Sequence, residues 1–78
     1  MKFKIKNIDI LKSLNKAVIQ GEILEGKILT GQSVCHEKSK NLITIESVVL
    51  GLPDKNNLNL VVIHKDTNEL KINDILVS

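Results

Sequence analysis

The stretch Gly21 to Ile28, GEILEGKI, comes within one residue of a phosphate-binding loop. That motif reads G-x-x-x-x-G-K-[ST], and Gly21, Gly26 and Lys27 satisfy all of it except the hydroxyl that would ligate magnesium, where Ile28 stands. Its glycines would also have to open a helix whose amides cradle phosphate. Core-seeking Ile23 and Leu24 lie between them and Gly31 follows too soon for a helix, so the glycines are expected to turn the chain. No nucleotide and no other cofactor is expected. Cys35 and His36 could suggest metal or nucleophilic chemistry, but neighbours in a strand point to opposite faces. Cys35 is expected to be a small buried hydrophobe and His64, beside Lys65 and Asp66, a surface residue. Glu22, Glu25 and Glu46 are expected on an outer face, and no Ser, His and acid grouping has recognisable surroundings. No catalytic residue and no metal ligand is assigned, and the chain is not expected to be an enzyme.

The elements that carry these residues are short and strand-like. KFKIKNI alternates Lys2, Lys4 and Lys6 with Phe3 and Ile5, the period of a half-buried strand. DILKSLNK fits a short helix or an irregular connection, and the run from Ala17 to Leu24 is again strand-like. SVCHEK and NLITIESVVL flank a hairpin-like interruption at Ser39 and Lys40. GLPDKNN, from Gly51, is the clearest loop; LNLVVIH is a strand, KDTNELKIND a polar connection and ILVS a closing strand. The 78 residues form one domain, 1–78, expected to be all-β: a small closed antiparallel β-barrel of about six strands.

Composition narrows the partners. The chain is 42% hydrophobic and 26% charged, with a net charge of +2. All eleven basic residues are Lys and Phe3 is the lone aromatic, so bidentate phosphate recognition and base stacking are missing. The single Cys35 forms no internal disulfide and fits a reducing compartment. Lysines at alternate N-terminal positions interrupt any signal-peptide core, and no run approaches the roughly 20 apolar residues of a membrane span. A soluble cytoplasmic protein, without membrane contact, is expected.

The spacing of the glycines carries a family resemblance. In VIQGEILEGKILTGQSV, Gly21, Ile23, Gly26, Ile28, Gly31 and Val34 match G-x-[VI]-x-x-G-x-[IL]-x-x-G-[DE]-x-[VL] without gaps, with Gln32 at the acidic position. This run resembles the second, β-barrel domain of translational GTPases of the elongation factor Tu type, here stand-alone. Toward the C-terminus Leu70, Asn73, Asp74, Ile75 and Leu76 follow the family's closing segment, with Asn73 replacing glycine at a turn. Asn tolerates positive φ, so Gly21, Gly26, Gly31 and Asn73 are the expected structural turns. The resemblance implies a barrel of the translation-protein type and a platform role. The GTP-binding domain would need a longer chain, and the family's tRNA-contacting Arg has no counterpart, so neither function transfers to a residue here.

One feature exceeds what a barrel interior requires. Apolar residues occupy both faces of LITIESVVLGL and LNLVVIH, and Leu42, Val48, Leu50, Val61 and Ile63 are the expected outward set. They form a candidate interface for a protein partner or a homo-oligomer. The alternative is RNA or ribosome contact through Lys2, Lys4, Lys6, Lys12 and Lys16, with Lys38 and Lys40 as a separate patch.

Overall fold

A computed structural model describes residues 1–50 and 56–78, with the side chain of Leu50 excepted. The loop expected from Gly51 lies, over 51–55, outside the described residues. The strands are β1 (Lys2–Leu11), β2 (Lys16–Glu25), β3 (Ser33–His36), β4 (Leu42–Thr44), β5 (Ser47–Leu50), β6 (Asn57–Ile63) and β7 (Ile75–Val77). They form one antiparallel sheet in the order β4-β3-β7-β1-β2-β6-β5. The all-β class holds; the closed barrel of six strands does not. Seven strands curl into an open half-barrel whose edges, β4 and β5, are consecutive pieces of one segment. That segment pairs with β3 at its start and with β6 at its end, and breaks at Ile45 and Glu46. Counting it as one strand accounts for the expected six.

The core is built on alternation. Phe3 and Ile5 of β1, Ala17 and Ile19 of β2, Val34 of β3, Ile43 of β4, Leu60 and Val62 of β6 and Leu76 of β7 are all buried. These side chains line the concave face, together with Ile28, Ile45, Leu58 and Leu70. Complete burial of an aliphatic or aromatic side chain contributes about 1.5–3 kcal/mol, so this cluster is what holds a chain of this size together.

Besides a register shift between Lys2 and Phe3, two irregularities change which residues face inward. In β1, Ile5 opposes Gly21 and Asn7 opposes Gln20, leaving Lys6 as the extra residue of a β-bulge. Before the bulge odd residues point to the core; after it Ile8 does, packed against the buried cluster opposite Ile19. The segment Ile8–Leu11, open to a helical interpretation in the sequence, is therefore strand, and only Lys12–Leu14 forms a single 3-10 turn. The break at Ile45 and Glu46 acts similarly: Val48 turns toward the core opposite Leu60, while Val49 faces outward.

The expected turn residues divide into two kinds. Gly26 (φ 76°), Gly31 (φ 85°) and Asn73 (φ 78°) adopt the left-handed conformation that favours glycine or asparagine. Gly21 is not a turn. It lies within β2, where a Cβ would come 2.2 Å from the Lys4 carbonyl oxygen and 2.7 Å from the Phe3 ring. Glycine is required there by the close approach of β1, not by a reversal of the chain.

Candidate functional site

The outward apolar set is only partly as expected. Leu42 is 72% exposed, and Val61 and Ile63 are half-buried on the convex face of β6. Val48 belongs to the inner face and its neighbour Val49, half exposed, replaces it outside. Leu50 lies at the end of β5, with its side chain outside what is described. Val61 opposes Val18 of β2 directly, and Val49 opposes Asn59 two positions along. Val18 and Val61 thus face each other on the convex side, with Val49 on the diagonal to Val61 and Ser47 and Asn59 beside them.

The lysines do not form one surface. Lys2 and Lys4 are opposite Glu25 and Glu22 in the β1–β2 ladder, and the Lys6 Nζ lies 3.5 Å from Glu22 Oε2. Lys16 is ion-paired with Glu46. Lys12 sits in the turn at the far end of β1, roughly 30 Å from Lys2 by the rise of a strand. Acidic residues on β2 neutralise the stripe that β1 presents, which leaves little field to attract a phosphate backbone.

A polar cluster that the sequence did not reveal lies where β3 meets β7. Alternation from Val34 carries His36 inward, where it is almost wholly buried, and turns Cys35 to a half-buried outer position. His36 Nε2 donates to Asp74 Oδ2 at 2.8 Å, since a carboxylate only accepts. Nδ1, on the other side of the ring, shares a 2.7 Å hydrogen bond with the Ser39 hydroxyl. The Asn41 amide donates to Ser39 Oγ at 3.3 Å, and the Lys71 amide to Asp74 Oδ2 at 3.1 Å. Lys38 Nζ lies 3.1 Å from Asp74 Oδ1. Burial alone would raise the Asp74 pKa, but the hydrogen bonds from Lys38, His36 and the Lys71 amide, with the Lys38 charge, outweigh it and hold the carboxyl below its ordinary value.

Ser39, His36 and Asp74 have the composition of a hydroxyl, imidazole and carboxylate relay. They are hydrogen-bonded to one another, to backbone amides of two turns and, at Asp74, to Lys38, and these bonds fasten the β3–β4 hairpin to the chain entering β7. An open cleft of about 290 Å³ lies nearby, lined by Asn41, Leu42, Lys65, Asp66, Asn68 and Glu69. None of the three relay residues lines it. His64, half-buried, donates its amide to the Asn15 carbonyl and accepts from Thr67 Oγ1 at its own carbonyl. Among the described residues no three His, Cys, Asp or Glu side chains converge on a metal position, and no helix is long and apolar enough to cross a membrane.

Comparison of the chain with protein-family models, with curated proteins and with solved structures gave no match.

Proposed function

We propose that the protein is a non-catalytic interaction module that uses its convex face to bind a protein partner or a second copy of itself. The observation that carries this is the apolar patch of Val18 and Val61, with Val49 on the diagonal, on the outside of a sheet whose inside is already filled. Exposed Leu42 adds a separate apolar residue on β4, at the other end of the strand order. Outward apolar surface of this kind marks interaction sites on small soluble domains. The glycine-spaced resemblance to the translation-factor barrel supports the same conclusion, because such a barrel is a platform that packs against neighbours. The neutralised lysine stripe argues against a phosphate-dominated alternative.

The test is capture from lysate with and without nuclease, using wild type and Val61→Lys, beside sedimentation of the purified protein. A discrete protein retained after nuclease by wild type and lost by Val61→Lys, or a dimer dissociated by it, is the expected result. Ribosomal or transfer RNA released by nuclease would overturn it in favour of the lysines. Circular dichroism establishes that Val61→Lys remains folded.

A further inference from the structure

β1 is paired on both sides for only part of its length. β7 covers Lys2 to Lys4, and the chain ahead of β7 adds two bonds at Ile5: the Ile5 amide donates to the Asp74 carbonyl (2.9 Å) and the Asn73 amide to the Ile5 carbonyl (2.7 Å). The Asp74 amide then closes a turn onto the Lys71 carbonyl (3.1 Å), and the chain leaves the line of β7. Beyond that point β1 pairs with β2 alone, and among the described residues no strand lies along its other edge.

The direction of the free backbone groups follows from the ladder. The Ile23 amide donates to the Asn56 carbonyl and the His64 amide to the Asn15 carbonyl, so odd residues of this stretch bond toward β6 and even ones toward β1. Lys16, Val18 and Gln20 therefore engage their opposites Leu11, Asp9 and Asn7. The amides and carbonyls of Ile8 and Ile10 are left pointing away from β2. They present two donors and two acceptors at strand spacing, which is the complement of another extended backbone. On the concave side Ile10 is 39% exposed and Ile8 partly so; on the convex side Asp9 is exposed and, among the described residues, takes part in no ion pair.

Asp9 decides the occupant. In a second copy, the antiparallel register that uses both Ile8 and Ile10 sets Ile8 against Ile10 and Asp9 against its own counterpart, a destabilising like-charge pair. We infer that the β1 edge from Asn7 to Leu11 accepts an extended peptide of another protein as an added antiparallel strand, with a basic residue opposite Asp9 and apolar residues opposite Ile8 and Ile10. This is strand addition, in which main-chain bonds supply affinity and alternate side chains supply selectivity. The pair at Asp9 is of the non-hydrogen-bonded kind, where opposed side chains come closest. The inference rests on the interaction-module assignment and names a partner chemistry at a surface separate from the convex patch.

The test uses synthetic heptapeptides with valine, lysine and valine at the centre, titrated into the full chain and followed by amide shifts and hydrogen exchange. The expected result is slowed exchange at Ile8 and Ile10, and binding about fivefold tighter than that of the glutamate-centred peptide, a ratio that Asp9→Lys inverts. N-methylation of the two valines, whose amides face β1, abolishes binding, while N-methylation of the lysine, whose amide faces solvent, preserves it. Absence of binding at millimolar peptide, indifference to valine methylation, or a ratio that Asp9→Lys leaves unchanged would overturn the inference. Protection of Ile8 and Ile10 that grows with protein concentration alone would overturn it in favour of self-pairing. If the strand assay fails while Val61→Lys still abolishes capture, the edge assignment falls and the convex-face function stands; the reverse pattern removes the convex patch and keeps the edge.

Discussion

The β1–β2 ladder and the β3–β7 junction hold the same sheet by different means. β1 and β2 are each ten residues long and meet over most of their length, with Phe3, Ile5, Ala17 and Ile19 buried between them and the rest of the core. β3 meets β7 through only two register pairs, Cys35 with Val77 and His36 with Leu76. The short junction is reinforced by the buried His36–Asp74 pair and its connections to Ser39, Lys38 and Lys71. A long ladder is specified by pattern and apolar area. A short one gains its register from directional bonds, which only one alignment satisfies.

The contrast can be broken most severely at the apolar end. Phe3→Ala should cost about 3–5 kcal/mol, measured by urea unfolding, because it removes the largest buried side chain. Gly21→Ala should cost about 3 kcal/mol, since the added methyl meets the Lys4 backbone and β1 must move away. Its signature is disturbed amide shifts confined to β1 and β2. If either variant unfolds less readily than a variant at the polar junction, the proposed division of labour is wrong.

At the junction, Asp74→Ala should cost about 1–3 kcal/mol by leaving the buried His36 donor without an acceptor. The acid response sharpens the point. Because the folded state holds the Asp74 pKa below its ordinary value, the unfolded chain binds more protons in the acid window. The contribution is therefore complete above the ordinary aspartate range and is lost as pH falls through the lowered pKa. Thermal melts across that window should show a steeper acid decline for wild type than for Asp74→Asn; parallel curves would remove Asp74 from the account. The smallest effect is local: Gly31→Ala, with nothing within 4 Å of its Cβ, should cost only about 1 kcal/mol, the penalty of its left-handed backbone.

What could be read from the sequence tracks how local each cause is. Alternation at Lys2–Ile5 and the positive φ of Gly26, Gly31 and Asn73 depend on the residue and its immediate neighbours, and both were legible. The role of Gly21 depends on how closely β1 approaches, which no residue of β2 announces. The bulge at Lys6 and the break at Ile45 and Glu46 each shift the phase of a strand; this is why the sequence leaves Ile8 ambiguous and why strict alternation points Val48, not Val49, outward. His36 could have been placed inside by counting two from Val34. Its partner could not, because Asp74 is 38 positions away and precedes a strand of three residues. The open edge of β1 was hidden for the same reason, since it exists only because β7 is short.

The position of β7 also governs the order of assembly. It pairs Lys2 with Val77, joining the two ends of the chain, and it lies between β1 and β3 in the sheet. β1 and β2 can pair through a four-residue connection, and β3 and β4 through a five-residue one, each closing a small loop quickly. The β3–β4 hairpin meets the larger sheet at two places, through the two residues that lead into β5 and its pairing with β6, and through β7, whose docking on β1 joins residues far apart in the chain. If docking of Ile75, Leu76 and Val77 limits assembly, substitutions that weaken their pairing should retard refolding more than those in the β1–β2 hairpin, as stopped-flow refolding would show.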